Sequence, residues 1–314
     1  MAADWDLALA WLYVPATRAD RFAKAAAVAD GVVIDLEDAV HPTQRPRARA
    51  GLADAIGDGL SAPTVVRVNP PSHPDFEADI EAVAPLVRAG LVSAVRVAKA
   101  DSVSDVERAA EATADWGVER RLILQLETAR AIAAAHDLAA HPSVHSLMLG
   151  EADLRADLGL PRGVASDDGL ALARQTAVLA SRAAGLPSPV GSAYVNVSDL
   201  DGLRADSLRQ RALGFLGRSC IHPRQVPVVR EAFGPSPADI EWADSILAQA
   251  ISMAGAGSGV ATLADGSFID APVVRQAERV LALGVAALIK HIAADDDVEA
   301  PDLGDRPFPW HRNE

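Results

Sequence analysis

Cysteine is nearly absent from this chain: Cys220 is the single one among 314 residues. No intrachain disulfide can form, and no cysteine-built zinc site is available. Basic residues are scarce relative to acids, 29 Lys and Arg against 43 Asp and Glu, for a net charge of −14. That balance argues against nucleic acid or an anionic lipid surface as the main partner. No apolar run approaches membrane-spanning length, and the start, MAADWDLALAWLYVP, has acids where a secretion signal needs bases. A cytoplasmic protein is the expectation, which makes the sequon Asn196-Val197-Ser198 a chance match. A GxSxG elbow and a Walker loop are missing, and the glycines are too scattered for a GxGxxG dinucleotide motif. Serine hydrolases, P-loop enzymes and the usual nicotinamide dehydrogenases drop out. Internal repeats and long low-complexity tracts are lacking as well.

What is present is a recurrence of short apolar runs: LAWLYVP (9–15), GVVIDLED (31–38), PTVVRVN (63–69), SAVRVAK (93–99), RLILQLE (121–127), SLMLGEAD (146–153), PVGSAYV (189–195) and SCIHP (219–223). Nearly continuous Val, Ile and Leu marks strands of a parallel sheet buried on both faces. Ala-rich stretches with helical spacing lie between them. After Pro15, Thr17 is placed to cap a helix whose first turn carries Asp20, with Gly31 ending the turn after it; 103–114 and 168–184 read as helices too. Eight strands alternating with helices predict a TIM (β/α)₈ barrel of roughly 250 residues with a C-terminal helical extension. The domain reading is 1–230 for the barrel and 231–314 for the extension and tail. Helices are predicted over 224–252 and 270–293, joined by the Gly-rich connector 254–267; the last twenty residues are acidic and read as a poorly ordered tail.

Charged residues close many of these runs: Asp35, Glu37 and Asp38; Arg67 and Asn69; Lys99; Glu127; Glu151 and Asp153. In a barrel the C-terminal strand ends share one mouth, where active sites are built. Glu127 and Asp153, 26 positions apart, can then reach one hard cation. Oxygen ligands with neither Cys nor a His cluster suit Mg²⁺, or Mn²⁺, better than zinc. The bland alternative is ion pairing with Arg130 or Arg155. Arg67 can bind a carboxylate bidentately, or it can serve as a structural partner for Asp35 or Glu37. Asp35, Glu37 and Asp38 need a neutralising cation, and they read as groups orienting metal waters or Arg67. Arg18, Arg21 and Lys24 form a basic cluster on an acidic protein, suited either to phosphates or simply to solvent. His222 reads as shaping a turn or lining substrate, and Cys220 as buried packing.

The segments LYVPATRADRFAKAAAVADGVVIDLEDAV (12–40), VRVN (66–69), LQLETARA (124–131), LMLGEADLRADLG (147–159), ALGFLGRSCIHPRQV (212–226), FGPSPADIEWADSIL (233–247) and DGSFIDAPVVRQAERVL (265–281) resemble the citrate lyase β-subunit-like family, the CoA-ester lyase branch of the HpcH/HpaI aldolases. The resemblance implies a TIM barrel with a C-terminal helical extension, usually trimeric. The reach of the 254–267 connector, on the order of 45 Å if extended, lets the last helix serve a neighbour and predicts a homotrimer or a hexamer of two trimers. It implies Glu127 and Asp153 as Mg²⁺ ligands and Arg67 as a group on substrate carboxylate or carbonyl. Asp270, in the FIDAP segment, becomes the catalytic acid/base presented to a neighbouring subunit. Arg18, Arg21 and Lys24 fall where the family grips coenzyme A. The implied activity is oxo-acid lyase: cleavage or condensation of malyl-CoA, citramalyl-CoA or citryl-CoA, giving acetyl-CoA and a 2-oxo acid. Alternatives are a malyl-CoA-type thioesterase on the same site, a CoA-free class II pyruvate aldolase, and a citrate lyase subunit needing an acyl-carrier partner. Ala16, Ala98 and Asn196 depart from the residues common in relatives (Gly, Pro and Asp), and the last two bear on the substrate pocket.

Overall fold

Parallel pairing unites seven of the apolar runs. The strands are β1 Ala10–Pro15, β2 Gly31–Asp35, β3 Thr64–Val68, β4 Ala94–Val97, β5 Leu122–Leu126, β6 Val144–Leu149 and β7 Arg218–Cys220. They form one curled parallel sheet in the order β6-β5-β4-β3-β2-β1-β7. The computed structural model describes residues 5–117, 119–161, 164–255, 261–262 and 268–293. Contacts divide the chain into two units, Met1–Phe233 and Gly234–Glu314, and the sheet belongs to the first.

Alternation along each strand explains what the sheet carries. One face is aliphatic: Val32, Ile34, Val66, Val68, Val95, Val97, Leu124, Leu126, Leu147 and Leu149 are all fully buried. Each such side chain contributes about 1.5–3 kcal/mol through burial. The other face begins with an apolar cluster of Trp11, Val33, Val65, Ala94, Ile123 and Met148, with Tyr13 and Val190 packed on it. Two positions further along β2, β3, β4 and β5, this same face carries Asp35, Arg67, Arg96 and Gln125. The register sets Asp35 opposite Arg67 and Arg67 opposite Arg96. Gly31 is required at the start of β2, because a Cβ there would lie 2.5 Å from the Trp11 ring.

The structure departs from expectation in several places. The run 189–195 forms no named strand; Val190 makes a single parallel bridge to Met148, and Gly191 one to Arg218. Pro187 and Pro189 offer no N–H to a ladder, which limits pairing there. Thr17 does not cap the first helix. Arg18 N instead donates to Pro15 O, a 3₁₀ turn Ala19–Arg21 follows, and the helix Phe22–Val28 starts without a side-chain cap. Gly31 belongs to β2 rather than to a helix end. The helix expected over 224–252 is split into Gln225–Phe233 and Pro237–Gly255 by Gly-Pro-Ser-Pro at 234–237, where the chain passes from the first unit to the second. Helices at Val103–Ala112 and Ala171–Ala183 fall where predicted, the first capped by Ser102 accepting from Asp105 N at 3.2 Å.

In the second unit the helices Pro237–Gly255 and Ala271–Ala293 pack through Ala243, Ile246, Ile269 and Ala277. Most of the 254–267 connector lies outside the described residues, as does the acidic tail. Within the connector, Ala261–Thr262 pair antiparallel with Phe268–Ile269. Among the described residues no helix is long and apolar enough to cross a membrane.

Candidate active site

The C-terminal ends of β2, β3, β4 and β5 bring four strands' charges together. Asp35 closes β2 and accepts from the backbone N–H of Glu37 at 2.9 Å and Ala39 at 3.1 Å, folding the DLED turn back on itself. Its two oxygens accept Arg67 Nε at 2.7 Å and Nη2 at 2.6 Å. Arg67 Nη1 lies 2.8 Å from Glu37 Oε2. Burial works against the Arg67 charge, but Asp35 and Glu37 outweigh it and hold the guanidinium protonated. The structural pairing considered for Arg67 is therefore present, and it leaves N–H donors on both Nη atoms for a further acceptor.

Lys99 follows β4 at φ 47°, the only non-glycine with positive φ among the described residues. This left-handed backbone is disfavoured for a side-chain-bearing residue. It brings the ammonium onto Glu37 Oε1, to 3.2 Å from Asp38 Oδ2 and to 3.6 Å from Glu127 Oε2. Burial opposes the ammonium's charge, yet Glu37, Glu127 and Asp38 hold its pKa above the ordinary lysine value. Burial pushes Glu37 up despite Arg67 and Lys99. For Asp38 burial is outweighed by its bonds to Glu37 and Lys99, and its pKa falls.

Glu127 sits just past β5 and is fully buried. Burial above all raises its pKa to about 8, with Glu37 and Asp153 adding to the rise against the pull of Lys99 and Arg67. Oε1 accepts from Gln125 Nε2, while Oε2 has no hydrogen bond. Gly150 makes room for this side chain, since a Cβ there would stand 2.9 Å from Glu127 Cδ. The two acids of the GEAD turn separate. Glu151 is buried and held by Arg174 at 2.7 and 2.8 Å, whereas Asp153 is exposed on the first turn of the helix Glu151–Asp157. Glu127 and Asp153 are near enough to interact electrostatically. Arg155 pairs with Asp167 instead.

A divalent oxygen-ligated cation fits this arrangement. A buried carboxylate oxygen without a hydrogen bond is costly, and a cation shared with Asp153 would satisfy it. Among the described residues no group of three or more His, Cys, Asp or Glu forms a metal cage; two carboxylates would leave the rest of such an ion's shell to waters and substrate oxygens.

Residues 9–223 match the HpcH/HpaI aldolase/citrate lyase family. The chain belongs to that family. It is 37% identical over 276 residues to a citrate lyase subunit beta-like protein of Mycobacterium tuberculosis, covering 86% of this chain and 93% of the relative. It is 33% identical over 265 residues to a (3S)-malyl-CoA thioesterase of Cereibacter sphaeroides, covering 82% and 88%. The crystal structure of M. tuberculosis CitE with magnesium, acetoacetate and coenzyme A superposes with TM-score 0.70 at 33% identity, over 89% of this chain and 99% of that one.

Not every candidate residue of this member of the HpcH/HpaI aldolase/citrate lyase family lies with the strand-end charges. Arg18 pairs with Asp20 at 2.8 Å on the surface and draws the Asp20 carboxyl down to about 2; Arg21 and Lys24 are exposed nearby in sequence. Asp270 is in the second unit, exposed, with Oδ1 accepting Val273 N at 3.2 Å at the start of the last helix. His222 Nδ1 accepts Arg224 N at 3.1 Å and shapes the turn after β7. Burial pushes the Cys220 thiol up to about 12, leaving it inert. Sequence reasoning left Gln125, Tyr13 and Lys99 without a role. Period-two spacing does put Gln125 on the face of Glu127, but nothing local announces the left-handed Lys99.

Proposed function

We propose that the protein is a Mg²⁺-dependent carbon–carbon lyase that cleaves or condenses a short 3-hydroxy-dicarboxyl-CoA, exchanging it for acetyl-CoA and a 2-oxo acid. The observation that carries this reading is the buried Oε2 of Glu127, which has no hydrogen bond and only the Lys99 ammonium 3.6 Å away, close enough to Asp153 to feel its charge, at the strand ends that also hold Arg67. In this reading the seven strands and the bridges at Val190 and Gly191 form a (β/α)₈ barrel whose eighth strand is reduced to two residues.

Glu127 and Asp153 would hold the Mg²⁺. When bound, the ion supplies Lewis-acid polarisation of a substrate oxygen. Arg67, preset by Asp35 and Glu37, offers its remaining Nη hydrogens to the carboxylate or carbonyl of the 2-oxo acid portion, where charge develops as the bond breaks. Asp270 moves the proton at the carbon α to the thioester, which demands approach to about 3 Å. Its position in the second unit makes the C-terminal extension the element that carries it, and a cyclic homotrimer lets every copy serve a neighbour. Arg21 and Lys24, with Arg18, are placed to receive the phosphates of coenzyme A. The likeness to a (3S)-malyl-CoA thioesterase supports a second reading, attack of water on the thioester at this same site.

Purified protein incubated with malyl-, citramalyl-, methylmalyl- and citryl-CoA separates these. A lyase releases a 2-oxo acid with acetyl-CoA (propionyl-CoA from methylmalyl-CoA) and no free thiol; a thioesterase releases free thiol. Turnover only with an acyl-carrier partner, or only on a CoA-free hydroxy-keto acid, refutes both. Shared sites are tested by mixing Asp270→Ala chains with Glu127→Gln chains. Activity should return after subunit exchange, and a dead mixture despite proven exchange puts Asp270 in cis or out of the reaction. For Gly150→Ala, the added Cβ must displace the Glu127 carboxylate while the φ of −107° accommodates alanine. A shift near 1 Å costs on the order of 100-fold, so kcat/KM should fall that far with Tm little changed.

A further inference from the structure

A directed chain of hydrogen bonds crosses the interior face of the sheet and ends on Glu127. Arg96 Nη1 donates to the Tyr13 hydroxyl at 2.8 Å, the hydroxyl donates to Gln125 Oε1 at 3.0 Å, and Gln125 Nε2 donates to Glu127 Oε1. Its polarity follows from chemistry. A guanidinium only donates, so the Tyr13 oxygen receives from Arg96 and its proton must go onward to Gln125. That orients the amide with its oxygen towards Tyr13 and its NH₂ towards Glu127. The Tyr13 ring is clamped as well, with the Arg67 guanidinium 5.1 Å and that of Arg96 5.3 Å from its centroid. Arg96, Gln125 and Glu127 are all buried and Tyr13 is half-buried, so water is kept from the bond between Gln125 and Glu127.

We infer that Gln125 and Tyr13 are positioning residues that decide which oxygen of Glu127 faces the cation: Oε1 is committed to the amide, and Oε2 is left to ligate. Neither residue need touch substrate. The inference rests on Glu127 being a metal ligand. Groups that orient a ligand typically alter metal affinity 10- to 100-fold when removed.

The test is Mn²⁺ binding to the full-length protein, followed by the electron paramagnetic resonance signal of free Mn²⁺, with Tm recorded in parallel. Gln125→Met keeps the side-chain length without a donor and should weaken binding about 10- to 100-fold. Tyr13→Phe keeps the ring between the two arginines, frees the amide to turn over, and should weaken binding several-fold. Because Tyr13 acts through Gln125, the double variant should bind no more weakly than Gln125→Met alone, a non-additivity that a merely structural role would not produce. Should Gln125→Met fail to fold, Tyr13→Phe alone still decides. If both variants bind Mn²⁺ like the parent while Glu127→Gln does not, the inference is wrong and the ligand reading stands. If Glu127→Gln binds like the parent, the ligand reading itself fails.

Discussion

Glu127→Gln is expected to lower kcat/KM on the order of 1,000-fold while leaving the fold intact. The amide matches the carboxylate in shape, and Glu127 is fully buried, so packing is preserved. What disappears is the negative charge that would hold a divalent ion. A metal's stabilisation of developing charge is worth several kcal/mol, and each ~1.4 kcal/mol is tenfold in rate. Burial, Glu37 and Asp153 all disfavour the charged form of Glu127, so a neutral amide there should also keep Tm at or above that of the parent. The decisive comparison is activity against Mg²⁺ concentration for parent, Glu127→Gln and Asp153→Asn, with EDTA-treated parent as reference. Full activity in EDTA would remove the metal from the account.

Arg67→Met should produce the largest loss of stability. Asp35 and Glu37 are buried, and Arg67 answers both, bidentately in the case of Asp35. Removing one partner of a buried ion pair costs about 3–5 kcal/mol because the other charge stays behind. For a unit of this size that means a fall in Tm on the order of 10 °C. The loss should depend on pH. Glu37 already stands above its ordinary value through burial. Between that ordinary value and the folded one, the native state binds more protons than the unfolded state, and stability rises as pH falls. Without the pull of Arg67 this window widens upward, so the gap between variant and parent should narrow on acidification. Arg67→Lys keeps the charge but not the fork, and should recover part of the Tm and little of the activity. Equal Tm values for parent and Arg67→Met would show that the pairing contributes nothing.

Much of this arrangement can be read from the order of residues. Apolar runs bounded by turns specify strands because burial of alternate side chains is local to each run, and seven runs are strands at the expected places. Charges at the ends of those runs mark a shared edge for the same reason. The run 189–195 has the apolar content of a strand, but the missing N–H groups of Pro187 and Pro189 limit its pairing to single bridges. The first helix misled because a capping residue in sequence does not compel a cap. Arg18 N instead closes a turn onto Pro15 O.

The sequence by itself determined which residue types reach the strand ends: Asp35, Glu37, Arg67, Lys99, Glu127 and the two acids of GEAD. Only the tertiary structure decided their partners. Glu151 is taken by Arg174 from 23 residues away, leaving Asp153 exposed. Arg67 is committed to Asp35 across 32 residues, and Lys99 reaches Glu37 across 62. Gln125 occupies one oxygen of Glu127 and leaves the other without a hydrogen bond. Periodicity comes from neighbours in the chain, whereas the partner of a buried charge depends on which donors the closed fold brings within about 3 Å, and that is settled by all the strands at once.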